Sequence, residues 1–105
     1  MTGKRVEFIG NEDNRLVADR YGQRGQPVIL LHGGGQTRHS WDAAAESIAR
    51  QGHVVYCLDQ RGHGESDWVP SGNYEFHDYA MDLIAAADRV AALHGARPVL
   101  VGASL

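Results

Sequence analysis

With 105 residues the chain has room for one small domain or part of a larger one. Its 43% hydrophobic and 22% charged residues argue against disorder. A net charge of −3 with no basic cluster argues against a nucleic-acid or membrane-surface partner.

Lys4 and Arg5 are not followed by the apolar stretch of a secretion signal, and no apolar run, residues 54–58 included, is long enough to span a bilayer. The expected compartment is therefore the cytoplasm. Residues 6–9 and 16–21 flank a turn cluster at 10–14 and predict a hairpin. Pro27 opens the run Val28, Ile29, Leu30, Leu31, the pattern of a central parallel strand covered on both faces. A glycine-rich loop, residues 32–36, follows. Trp41, Ala44, Ala45, Ile48 and Ala49 then recur at helical spacing, with Ser40 as the expected N-cap and Gly52 just past the end. Residues 53–58 form the next buried strand, and its Cys57, the only cysteine, is expected to be a buried, inert thiol. A polar loop over 60–73 leads to a second helix, whose apolar face is read through Tyr79, Ala80, Leu83, Ile84, Ala87, Val90 and Ala91, with Gly95 closing it. Residues 98–101 are the last strand. Strands and helices alternating after an opening hairpin predict an α/β fold with a largely parallel sheet.

Three polar pieces fall at the carboxyl ends of three predicted strands, where open α/β sheets place their sites. His32, Gly33, Gly34 and Gly35 offer backbone N–H groups unscreened by side chains, as an oxyanion requires. Residues 59–66 read Asp-Gln-Arg-Gly-His-Gly-Glu-Ser. Gly102, Ala103, Ser104 and Leu105 read as the first four residues of a G-x-S-x-G nucleophile elbow, a sharp strand-to-helix turn that exposes a serine. Gly33-x-Gly35 followed by Asp59 partly imitates a dinucleotide fingerprint, but the third glycine position is Arg38 and a hairpin precedes the loop. No histidine pair has the spacing and third ligand of a zinc site.

Together the three pieces, in this order, resemble the α/β-hydrolase family along nearly the whole chain. The likeness is to its serine-nucleophile branch of esterases, lactonases, carbon–carbon bond hydrolases and cofactor-free perhydrolases. Epoxide hydrolases and haloalkane dehalogenases share the first two motifs but carry an aspartate where this chain has Ser104. The resemblance implies Ser104 as nucleophile and the N–H groups of Gly34 and Leu105 as oxyanion donors, with Gly35 a weaker candidate than Gly34. It also implies an ester-like substrate and no metal or organic cofactor.

His32 would orient the glycine loop and Asp59 would anchor its own turn with Arg61. Ser66 would bond nearby backbone, and Trp41, Tyr74 and Tyr79 would be packing residues. His63 lies near the cleft, whereas His39, His53, His77 and His94 read as surface or capping residues. Residues 98–101 would pair beside residues 28–31. In this family the acid and histidine of the triad follow the nucleophile. Residues 1–105 are thus expected to be an incomplete, N-terminal part of an α/β-hydrolase domain, cut at the elbow and inactive alone. A non-catalytic domain that binds a partner or small ligand is the alternative.

Overall fold

The computed structural model describes residues 3–103. Two antiparallel strands, β1 (Lys4–Ile9) and β2 (Arg15–Tyr21), form the expected hairpin. They are followed by β3 (Pro27–Leu31), a short 3-10 turn (Arg38–Trp41), α1 (Asp42–Arg50), β4 (Val54–Leu58), α2 (Phe76–His94) and β5 (Val99–Gly102). The strand order is β1-β2-β4-β3-β5. β2 runs antiparallel to β4, whereas β3 runs parallel to both β4 and β5. The last strand therefore lies beside β3, as expected.

Alternation along the two central strands divides the core between the sheet faces. Val28, Leu30, Val55 and Cys57 pack toward Ala45, Ala49, Trp41 and Ile48 of the α1 side. Ile29, Leu31, Val54, Tyr56 and Leu58 pack with Phe8, Leu16 and Ala18 toward Leu83, Ala86, Ala87 and Val90 of α2. Both strands are covered on both faces, which is why they read as continuous apolar runs rather than alternating ones. Fully burying a valine, leucine or isoleucine such as Val54, Leu30 or Ile29 contributes roughly 1.5–3 kcal/mol, and an alanine a fraction of that. Burial also pushes the Cys57 thiol up to about 12, so it stays protonated and unreactive.

Two helix expectations need correction. Ser40 does not cap α1: it lies inside the 3-10 turn, where its hydroxyl donates to Thr37 O (3.0 Å) and Thr37 caps the turn through His39 N–H. The turn starts early because Asp59 accepts from both the Arg38 N–H and its guanidinium. The expected apolar face of α2 holds through Leu83, Ala87 and Val90, but Ile84 is 52% exposed and Asp82 is buried in its place on the inward side. At about 100° per residue, Ile84 lies some 200° around the helix from Ala86, whereas Asp82, four residues before Ala86, shares its side. Glu75 and Asp78 form a capping box at the start of α2, and Gly95 closes it in a left-handed conformation, φ +67°.

β5 forms a sheet edge, and Val99, Leu100 and Val101 are 51%, 49% and 38% exposed. Among the described residues no helix is long and apolar enough to cross a membrane.

Candidate active site

The carboxyl ends of β3, β4 and β5 bring two of the three predicted pieces together and deliver the chain toward the third. Gln60 and His32 clasp each other across β4 and β3. The Gln60 N–H donates to His32 Nε2 (3.0 Å), and the Gln60 side-chain amide donates to His32 O (2.9 Å). With Nε2 accepting, the His32 proton sits on Nδ1, which donates to Gly33 O (2.8 Å). Burial holds the His32 pKa below its ordinary value, and the nearby His63 adds to that, so the ring is neutral. His32 thus orients the glycine loop, as expected.

The loop's donors are distributed unevenly. Gly33 N–H donates to Gln36 Oε1 (3.0 Å) and Gly35 N–H donates to His63 Nε2 (3.3 Å). Gly34 N–H has no partner among the described residues, and Gly34 is exposed. Past β5, Ala103 N–H donates to Leu31 O (3.0 Å), which sets the residue before Ser104 against the strand that leads into His32. Ser104 and Leu105 themselves lie outside the described residues. A cavity of about 220 Å³ lies beside these strand ends, lined by Leu31, His32, Gln60, Phe76, Tyr79, Ala80, Leu83, Gly102 and Ala103. Tyr79, expected as a packing residue, is half-buried and borders this cavity. Trp41 does pack into the core, and the Tyr74 hydroxyl accepts from Val69 N–H (2.8 Å).

Behind the site, the 59–66 loop is held by buried charge. Asp59 anchors its turn, but its cationic partner is Arg38, not Arg61. Its carboxylate accepts from Arg38 N–H (2.6 Å), the Arg38 guanidinium (2.5 Å) and Glu65 N–H (3.0 Å). Arg61 turns the other way, fully buried, and donates two parallel bonds of 2.7 Å to Asp82 on α2. It also reaches Glu12 (2.5 Å) and Asn73 O (2.8 Å). Burial raises the Asp82 pKa, but hydrogen bonds from Arg61, Asn11 and Asn14 outweigh it and hold the carboxyl below its ordinary range. Ser66 bonds backbone as expected, donating to Asp59 O (2.6 Å) and accepting from Val17 N–H (2.8 Å). At Gly64, φ is +53° and a β-carbon would run into the Asp59 carboxylate, so no other residue fits without rearrangement.

Two groups have no counterpart in the sequence expectations, and His94, expected as a surface or capping residue, finds a ring partner. Asp82 and Arg38 are buried partners of the motif arginine and aspartate, and His94 accepts or donates a 2.7 Å bond with the Tyr56 hydroxyl. Asp19, His39 and Asp42 gather ligand-type atoms within 4.8 Å of one another. Their atoms are already engaged: Arg38 Nε lies 3.0 Å from Asp19, and the Tyr21 hydroxyl donates to Asp42 (3.3 Å).

Known proteins resemble this chain in sequence and in fold. A model of the α/β hydrolase fold matches residues 26–105. An esterase of Mycobacterium tuberculosis is 44% identical over 59 residues, covering 56% of this chain and 19% of that protein. Epoxide hydrolase A of the same organism is 34% identical over 80 residues, covering 74% of this chain and 25% of that one. Among solved structures, epoxide hydrolase A from Mycobacterium thermoresistibile matches with a TM-score of 0.82 at 27% identity, over 96% of this chain and 31% of that one. An epoxide hydrolase from Vigna radiata matches with a TM-score of 0.85 at 22% identity, over 97% of this chain and 32% of that one, a likeness of fold alone. The chain spans less than a third of each of these relatives. A glycine loop after β3, a charge-anchored loop after β4 and a family match over residues 26–105 lead to one conclusion: the chain belongs to the α/β-hydrolase fold family, whose members here are hydrolases.

Proposed function

We propose that these residues supply the nucleophile and the oxyanion hole of a serine hydrolase acting on an ester-like small molecule. The observation that carries the reading is the pattern of donors in the glycine loop. The Gly33 and Gly35 N–H groups are engaged, and the Gly34 N–H is left over in the loop that follows β3, the strand against which Ala103, the residue before Ser104, is hydrogen-bonded. In this reading Ser104 Oγ attacks the acyl carbon while a histidine beyond residue 105 takes its proton. The N–H groups of Gly34 and Leu105 hold the oxyanion, the alcohol leaves, and water then hydrolyses the acyl-enzyme to release the acid. No metal or organic cofactor takes part. The half-exposed apolar edge of β5 supports the further reading that residues 3–103 form part of a larger hydrolase domain, since such an edge is ordinarily covered.

The epoxide hydrolases among the relatives make the identity of the nucleophile the point to test. In the full-length protein, Ser104→Ala is expected to abolish hydrolysis of 4-nitrophenyl acetate while leaving the far-ultraviolet circular dichroism unchanged. Undiminished ester turnover in that variant, or turnover of styrene oxide with none of the ester, refutes the assignment.

A further inference from the structure

The three-glycine loop has little of its own to hold it in place. Residues 34–36 are exposed, and Gly35 sits at φ +76° with open space where a side chain would be. Two of the loop's bonds are internal, joining Gly33 and Gln36 in both directions. Among the described residues, the single hydrogen bond from residues 33–36 to a distant part of the chain runs from the Gly35 N–H to His63 Nε2 (3.3 Å). Glycine backbone is the most costly to order, so a loop of this composition takes its position from such a tie.

His63 is itself firmly mounted. Its Nδ1 lies 3.0 Å from Arg61 O, and Arg61 is the buried arginine held bidentately by Asp82 on α2. Because Nε2 accepts from Gly35, the His63 proton is on Nδ1 and is donated to Arg61 O. The ring also packs between His32 (centroids 4.8 Å apart) and Tyr79 (6.3 Å). A path of direct contacts thus leads from α2 through Asp82, Arg61 and His63 to the glycine loop. We infer that His63 is a positioning residue: by holding the Gly35 N–H it fixes the loop, directs that donor away from substrate and keeps the Gly34 N–H in place for the oxyanion. This rests on the hydrolase reading above for its catalytic consequence, though not for the attachment itself.

The test compares His63→Phe and His63→Gln in the full-length, nitrogen-15-labelled protein. Phenylalanine keeps a ring against His32 and Tyr79 but cannot accept the Gly35 N–H, whereas the glutamine amide oxygen can. In His63→Phe the Gly35 amide is expected to exchange with solvent about 10-fold faster or more. The kcat for 4-nitrophenyl acetate is expected to fall about 10- to 100-fold with KM little changed. His63→Gln is expected to recover most of both. Unchanged Gly35 exchange in His63→Phe overturns the inference, as does an unchanged kcat with the amide released. An equal loss in both variants also overturns it, because the ring rather than the acceptor would then be responsible. A wild-type protein that hydrolyses no ester, but whose Gly35 amide responds as described, refutes the hydrolase reading and leaves the attachment to His63 standing.

Discussion

Replacing Asp82 by alanine is the sharpest challenge to the fold described above. The Asp82 carboxylate, 4% exposed, accepts both forks of the Arg61 guanidinium together with Asn11 N–H (2.9 Å) and Asn14 Nδ2 (3.2 Å). Asp82→Ala would leave a fully buried guanidinium with only Glu12 and Asn73 O, and would orphan two further donors. Stranding one member of a buried ion pair costs about 3–5 kcal/mol, a large share of the roughly 5–15 kcal/mol that holds a typical domain together. With a urea dependence of about 2 kcal/mol per molar, the unfolding midpoint is expected to fall by about 1.5–2.5 M. The assay is urea unfolding of the full-length protein followed by circular dichroism. The pair itself need not be net stabilising, so the double variant Arg61→Met with Asp82→Leu is expected to lose less than Asp82→Ala alone. The pH dependence has a definite sign. Because the folded-state pKa of Asp82 is lowered, its contribution is fully present above the ordinary carboxylate value near 4 and is lost as the pH falls through the folded value. The gap between wild type and Asp82→Ala therefore narrows in acid. A midpoint shift under about 0.5 M at neutral pH would refute the reasoning.

Two further outcomes are expected. His32 is held below its ordinary pKa, chiefly by burial, so its contribution is complete above about pH 6.5 and is lost on acidification toward the folded value. The melting temperature of wild type should accordingly drop more between about pH 7.5 and 5 than that of His32→Gln, and parallel curves would count against it. Gly64→Ala, which combines φ +53° with a clash against Asp59, should cost more than about 2 kcal/mol in thermal unfolding. Gly72→Ala, at φ +73° in open space, should cost nearer 1 kcal/mol, and equal losses in the two would contradict the crowding at Gly64.

Local sequence pattern specifies some parts of this fold and leaves others to contacts distant along the chain. β3 and β4 were legible because burial on both faces demands unbroken apolar runs, and Val28 to Leu31 and Val54 to Leu58 supply them. The site's motifs were legible because glycines and acids at strand ends have few other uses. The charge pairing was not. Arg38 with Asp59 and Arg61 with Asp82 are each separated by 21 residues and join different elements, so no local period reports them. The motif invites pairing Asp59 with its neighbour Arg61, yet two residues paired with each other on one tight loop would not tie that loop to the body of the protein. Each must reach outward, Asp59 toward the turn before α1 and Arg61 toward α2. The outward position of Ile84 has the same origin. Hydropathy places Ile84 inward, whereas the inward position belongs to Asp82, a charged residue in register with Ala86 and Val90. That register was a usable signal, since an acid on the apolar stripe of a helix calls for a buried cation, and Arg61 in the preceding glycine-rich loop was available. The hydrophobic pattern thus specifies the sheet and its two helical layers. The position of the loop that presents the proposed oxyanion donor depends instead on paired charges and two histidines, His32 and His63, whose partners only the folded chain reveals.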